Sequence, residues 1–194
     1  HGEQAARINK NVIARLGLPH AGYVLVTVHR AENTDDVERL GTIVEALVRV
    51  GNKMPVLWPL HPRTRDALRG DALLALARTQ VKLVEPLGYL NMVYAERNAA
   101  VIATDSGGVQ KEAFFHGVPC VTLREETEWV ELISAGWNRL APPRDAGQVA
   151  DTILATRGTR GDPVEPYGDG HAAKKIVACL KSLGFEQAQA GRAP

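Results

Sequence analysis

Hydrophobic positions along this chain gather into short apolar runs separated by longer segments with helical spacing. Residues 23–28 (YVLVTV) are nearly continuous and rich in β-branched side chains, which suits a strand buried on both faces. Residues 55–60, 81–84, 99–104 and 119–123 repeat that character, and a further short strand is expected near Arg139. Between the first two runs, Leu40, Ile43, Leu47 and Val50 fall on one side of a helix that Asp35 or Asp36 can cap. Helices are also expected over 3–16, with Ile8, Val12 and Leu16 on one face and Gly17 as the stop. The same spacing predicts helices over 63–69, 89–98, 107–115, 128–135, 145–156 and 171–183.

Strand and helix thus alternate about six times, the pattern of βαβ units. The predicted class is α/β, with a doubly wound parallel sheet carrying helices on both faces. In such a sheet ligands bind in the crevice outside the carboxyl ends of the strands. Residues 157–170 (RGTRGDPVEPYGDG) read as a loop. One domain is expected over 1–186, and 187–194 (QAQAGRAP) as a frayed tail.

Composition narrows the function classes. In 194 residues, 23 Lys and Arg stand against 22 Asp and Glu, so no charge excess favours nucleic acid or anionic lipid as a partner. Cys120 and Cys179 are too few for a disulfide framework. No apolar run approaches the roughly 20 residues that span a bilayer, and no signal peptide is evident, so a cytoplasmic location is expected. The chain begins with His1, and its methionines are Met54 and Met92, so a natural start upstream is expected.

Four segments carry candidate chemistry. Residues 104–112 (TDSGGVQKE) leave a strand and open a helix. Gly107 and Gly108 let a phosphate approach the backbone without a Cβ in the way. The free N–H groups and dipole of the first helical turn then favour an anion, and Ser106 adds a hydroxyl. Glu112 lies a little over one turn in, where a carboxylate can accept from a ribose diol. The alternative is a plain Gly-rich turn with Asp105 or Ser106 as N-cap. The segment is neither G-x-G-x-x-G nor a Walker A loop, because Lys111 is misplaced.

Residues 28–36 (VHRAENTDD) put His29 at the end of the first strand, where it can donate to a phosphate or act as acid or base. Its alternative is a loop histidine satisfied by the backbone. Arg30 can pair with a phosphate or with Glu32. His61, at the end of the second strand, repeats the theme in the same layer. No metal site is expected, because no third ligand of matching geometry is apparent. Cys120 reads as a buried structural thiol, and Ser106 lacks a G-x-S-x-G setting. In residues 123–131 (LREETEWVE), Arg124 can reach the same crevice. Glu125, Glu126, Glu128 and Glu131 suit a solvated helix start, and Trp129 and Trp137 a packed face.

Together these segments resemble the C-terminal half of the non-hydrolysing UDP-N-acetylglucosamine 2-epimerase family. The resemblance rests on LVTVHRAEN (25–33), LHPRTR (60–65), PLGYLNMVY (86–94), TDSGGVQKEA (104–113), LREETEWVE (123–131) and PYGDG (166–170), in the family's order. It implies a Rossmann-like domain of the two-domain glycosyltransferase-B fold, with UDP and the UDP-sugar held between domains. It implies that Ser106, Gly107 and Gly108 hold the diphosphate, that Glu112 binds the ribose hydroxyls, and that Leu87 and Met92 flank the uracil. His29 would sit beside the diphosphate and sugar as a catalytic group, and Arg124 would bind UDP. The family's route is elimination of UDP across C1–C2 to a glycal, then re-addition with C2 inverted, without NAD, metal or other cofactor.

The family's carboxylate acid/base candidates lie in an N-terminal domain that this chain lacks, so that domain is an expected partner and the piece alone is expected to be inactive. Family members are often dimers, which makes a homodimer a further expectation. Where the commoner bacterial motif continues Thr-Glu with Arg-Pro-Glu, this chain has Trp129-Val130-Glu131. That version resembles the branch acting on modified sugars such as diacetamido uronic acids. A glycosyltransferase of the same fold and an inactive nucleotide-sugar-binding module stand as alternatives.

Overall fold

A computed structural model describes residues 16–68 and 72–183. Residues 16–162 and residues 163–183 belong to two separate units. The expected helix over 3–16 and the expected tail over 187–194 lie outside the described residues, apart from Leu16.

The first unit is built on six strands: β1 (Val24–Thr27), β2 (Val56–Pro59), β3 (Val81–Val84), β4 (Val101–Thr104), β5 (Cys120–Thr122) and β6 (Asn138–Leu140). All pairings are parallel, in the order β3-β2-β1-β4-β5-β6. The order reverses between β1 and β4, so the chain leaves these two strands in opposite directions and opens a crevice at their carboxyl ends. Thr27 faces Thr104 in register there, and their hydroxyl oxygens are 2.5 Å apart.

Strand alternation divides the core between the two faces. Val24, Val26 and Val28 of the β1 segment, with Val56 and Trp58 of β2 and Val101 and Ala103 of β4, enter one apolar cluster. Tyr23, Leu25, Leu57 and Ile102 enter the other. The first cluster is covered by α2 (Val37–Gly51), whose Leu40, Ile43, Val44, Leu47 and Val50 are all buried. Asp36 caps it, accepting from the N–H groups of Glu38 and Arg39 at 2.9 and 3.0 Å. Helix α8 (Ala146–Thr156), capped by Asp145, packs on the same face through Val149, Ala150 and Ile153. The other face is covered by α5 (Tyr89–Arg97) and α6 (Gly107–His116), through Ala95 and Ala113.

Three short helices lie in or beside the connections: α1 (Ala31–Thr34), α3 (Pro62–Ala67) and α4 (Ala72–Gln80). The four residues of α1 are too few for hydrophobic period to reveal. In α4 a single position, Ala77, is buried, so its apolar stripe is weak. Helix α7 (Val130–Ser134) starts two residues after the sequence expectation, with Trp129 at its N-cap. At five residues it cannot carry Trp129 and Trp137 on a common face, and the two part company. Trp129 donates to Gly107 O and Trp137 to Asp162 O, each at 2.8 Å.

The second unit contains α9 (Ala172–Ser182), preceded by the expected loop. No helix among the described residues is long and apolar enough to cross a membrane.

Candidate functional site

The crevice is assembled from the two strand ends at the reversal point. Beyond β4 the chain enters α6 through Ser106, whose hydroxyl accepts from the Val109 N–H at 3.5 Å. That cap takes the Val109 N–H, and the N–H groups of Gly107 and Gly108, in the same first turn, have no partner within the helix ladder. A Cβ on Gly108 would meet nothing closer than Ser106 Oγ at 3.8 Å. A Cβ on Gly107 would stand 3.4 Å from Trp129 Nε1 and 3.6 Å from Glu128 Oε2. The approach to the turn is thus open over Gly108 and walled beside Gly107.

Asp105 is not the helix cap. It is fully buried and binds the other strand end. Its carboxylate accepts the backbone N–H of His29 at 3.1 and 3.0 Å, that of Arg30 at 2.9 Å, and Asn33 Nδ2 at 3.1 Å. His29 Nδ1 lies 3.4 Å from Asp105 Oδ1, so the imidazole is oriented by the same carboxylate that holds its backbone. The His29 side chain is 38% exposed, which leaves Nε2 available to the crevice. Its ring lies 5.3 Å from that of His61, whose Nδ1 accepts from Arg63 N at 3.2 Å and caps α3. Both histidines thus occupy the layer expected of them.

Beside them is a cleft of about 180 Å³ lined by Val28, His29, His61, Leu87, Met92 and Val109, among others. His29, Leu87 and Met92 therefore share one cleft, and Val109 links it to the Gly-rich turn. A larger hollow of about 670 Å³ runs along the β3 edge, lined by Arg65, Arg78 and Lys82 among others, and holds none of the expected site residues. Glu112, one turn beyond Gly108, is half-buried. Burial raises its carboxyl above the usual carboxylate range, as do the charge of Glu96 and a hydrogen bond with it, while His116 works the other way.

The acidic segment after β5 is exposed as expected, but Glu125, Glu126 and Glu128 lie before the helix rather than in it, and Glu125 and Glu128 are paired with arginines. Glu128 accepts from Arg124 Nη1 at 2.9 and 3.1 Å and from Arg30 Nη2 at 3.4 Å. Hydrogen bonds from Arg124 and from backbone N–H hold its carboxyl down at about 2, with the Arg30 charge adding to the effect. Glu125 bridges Arg39 at 3.1 Å and Arg144 at 2.5 Å. Arg30 thus pairs with Glu128 rather than with Glu32, and Glu32 instead accepts from Arg124 at 3.2 Å. Arg124–Glu128 is a local i,i+4 pair, whereas Arg30–Glu128, Arg39–Glu125 and Arg124–Glu32 join residues far apart in the chain, which no local pattern encodes. Arg124 is buried, its guanidinium held between Glu32 and Glu128.

Sequence reasoning passed over Gln110. It is fully buried, and its Oε1 accepts from Thr127 Oγ1 at 2.6 Å and Asn138 Nδ2 at 3.0 Å. Thr127 also accepts from Trp129 N at 3.1 Å. Through these bonds the Thr127–Trp129 turn is fixed against the start of α6, with Lys111 Nζ 4.5 Å above the Trp129 ring. The available signal was a polar residue four positions after Ser106, on the inward side of a helix. Cys120 is buried, and its thiol is driven upward by burial, as expected of a structural thiol.

Comparison with known proteins decides the family. The model of the UDP-N-acetylglucosamine 2-epimerase family matches residues 2–181. The chain belongs to the UDP-N-acetylglucosamine 2-epimerase family. It is 44% identical over 168 residues to a UDP-2,3-diacetamido-2,3-dideoxy-D-glucuronate 2-epimerase of Pseudomonas aeruginosa, covering 84% of this chain and 45% of that protein. It is 42% identical over 181 residues to a UDP-N-acetylglucosamine 2-epimerase homolog of Methanococcus maripaludis, covering 90% and 49%. The Methanocaldococcus jannaschii UDP-GlcNAc 2-epimerase, solved in complex with UDP-GlcNAc and UDP, superposes with a TM-score of 0.79 at 33% identity, over 93% of this chain and 50% of that one. This member of the family therefore spans about half the length of the relatives it matches. Its sheet is the Rossmann-like half of the fold shared with those epimerases.

Proposed function

We propose that this chain is the UDP-binding half of an epimerase that inverts C2 of UDP-N-acetylglucosamine or a related UDP-2-acetamido sugar, giving the ManNAc epimer in the first case. The observation that carries the reading is the Ser106-capped start of α6, open over Gly108, beside the Asp105-held His29 at the sheet's reversal point. Ser106, Gly107 and Gly108 hold the diphosphate. Glu112 accepts from the ribose hydroxyls, and Leu87 and Met92 pack on the uracil. The Methanocaldococcus relative, solved with UDP-GlcNAc and UDP, supports a nucleotide in this crevice.

The chemistry explains the emphasis on phosphate. The C2 proton of the sugar is not adjacent to a carbonyl, so inversion proceeds by loss of UDP across C1–C2 and its return to the glycal with C2 inverted. Charge grows on the departing diphosphate, and N–H groups at the start of α6, together with His29, stabilise it. The same donors retain UDP until it adds back. Arg124, held by Glu128 and Glu32, is the remaining candidate contact to UDP. A cleft of about 180 Å³ is small beside the roughly 300–1,000 Å³ of closed ligand sites, in keeping with one wall of an interdomain site. The other wall and the acid/base carboxylates come from the N-terminal half, and the nucleotide is held by the sheet-bearing unit.

Calorimetry with UDP and an epimerisation assay on the same sample test the reading. Binding without turnover is expected. Absence of binding at millimolar UDP overturns the phosphate assignment, and turnover by the chain alone overturns its status as half of the machinery. Joined to an N-terminal half, turnover without any acceptor separates an epimerase from a transferase.

A further inference from the structure

Trp129 binds the backbone of the Gly-rich turn. Its indole N–H donates to Gly107 O at 2.8 Å, whereas the Ser106 cap on the same turn is long at 3.5 Å. The indole is therefore the firmer hold. Gly107 O and the Gly108 N–H belong to one planar trans peptide, in which they point in opposite directions. A donor that fixes the carbonyl end thus fixes the direction of the N–H end. A carbonyl oxygen has two lone pairs, so the indole bond adds to the helix ladder without displacing it. Glycine loses more conformational freedom on ordering than any other residue, and Gly107 and Gly108 stand together at a helix end, where the ladder frays. The missing Cβ atoms that open the approach to Gly108 also leave its backbone without a stiffener of its own.

Trp129 is itself anchored. Thr127 Oγ1 accepts from Trp129 N at 3.1 Å and donates to Gln110 Oε1 at 2.6 Å. Asn138 Nδ2 donates to the same Gln110 oxygen at 3.0 Å, and Asn138 Oδ1 accepts from Thr122 Oγ1 at 3.0 Å. Gln110, Asn138 and Thr122 are buried, so this series of bonds runs from β5 and β6 to the indole through fixed groups. Lys111 Nζ, from α6, adds a cation–π contact 4.5 Å from the ring centroid.

We propose that Trp129 is a positioning residue for the diphosphate: its indole N–H pins the Gly107–Gly108 peptide, so that the Gly108 N–H stays aimed at the anion. This rests on the Gly107–Gly108 turn as the diphosphate site proposed above. Trp129 acts through the backbone and does not touch the nucleotide. Phenylalanine at position 129 keeps a ring beside Lys111 and removes the N–H. Valine at position 127 keeps the shape of threonine and removes both the acceptor of Trp129 N and the bond to Gln110.

The test is NMR titration of the 15N-labelled 194-residue chain with UDP and with uridine, together with the 15N relaxation order parameter of the Gly108 N–H in the free protein. Wild type is expected to prefer UDP and to hold the Gly108 N–H near the rigid value of about 0.85. Trp129→Phe is expected to lower UDP affinity about tenfold, leave uridine unaffected, and drop the order parameter toward about 0.6. An unchanged preference for UDP, or equal losses for both ligands, overturns the proposal. So does a selective loss with Gly108 as rigid as in wild type, since Trp129 would then touch the nucleotide itself. Should Trp129→Phe fail to fold, Thr127→Val decides by the same two readouts, with an expected loss of about threefold for UDP alone. A wild type that does not discriminate UDP from uridine removes the phosphate reading and this proposal with it. A discriminating wild type with an indifferent Trp129→Phe overturns the proposal alone.

Discussion

Asp105 holds His29 twice, accepting its backbone N–H at 3.1 and 3.0 Å while standing 3.4 Å from its Nδ1. The same buried carboxylate takes the Arg30 N–H and Asn33 Nδ2. Asp105→Ala strands these donors in the interior and is expected to cost about 3 kcal/mol, whereas Asp105→Asn keeps one acceptor oxygen and is expected to cost about half as much. Denaturant unfolding of the two variants checks the order. Equal losses would mean that the charge, rather than the acceptor positions, carries the contribution.

The two glycines at the start of α6 separate binding from folding. Gly108→Val adds a side chain where its Cβ meets nothing closer than 3.8 Å, so the fold is expected to survive while UDP binding is abolished. Gly107→Val places its Cβ 3.4 Å from Trp129 Nε1 and is expected to lower the melting temperature as well. Calorimetry with UDP and thermal unfolding on both variants provide the comparison. Unchanged affinity in Gly108→Val would refute the phosphate placement.

His29→Ala, made in a complete two-domain relative of this chain, is expected to lower kcat more than it raises KM. On the proposed reading, a contact between His29 and the departing diphosphate would strengthen as charge develops. Steady-state kinetics distinguish this from a purely binding role, in which KM alone would move.

Glu128 gives an acid signature. Its carboxyl lies lower in the folded state, at about 2, than in the unfolded chain at 4.5. Folding therefore favours its ionised form, and the stabilisation is fully present above about pH 4.5 and lost as pH falls toward 2. Because the side chain is 50% exposed, solvent screening limits the effect to about 1 kcal/mol. Glu128→Gln is expected to lose that amount at neutral pH and to show a flatter stability profile between about pH 4.5 and 2. Urea midpoints across that range measure it, and parallel profiles for the two proteins would contradict it.

Much of this architecture was legible in the chain. Five of the six strands are short apolar runs, β6 (Asn-Arg-Leu) being the exception, and α2 and α8 bear their caps, Asp36 and Asp145, one residue before a helical stripe. Those signals are local, and the ordered motifs around His29, Ser106 and Glu112 identified the family from the same linear information. Helices α1 and α4 were illegible because one is too short and the other too exposed to impose a period.

What the sequence by itself determined is the set of elements, their α/β class and the strand-end positions of the candidate groups, because periodicity and caps act between near neighbours. The tertiary structure alone decided which charges meet. Asp105 became the anchor of His29 instead of a helix cap, Arg30 took Glu128 instead of Glu32, and Glu96 came against His116. Each of these depends on parallel strands and the helices between them bringing distant residues side by side, and a buried carboxylate takes whichever donors the sheet delivers to it.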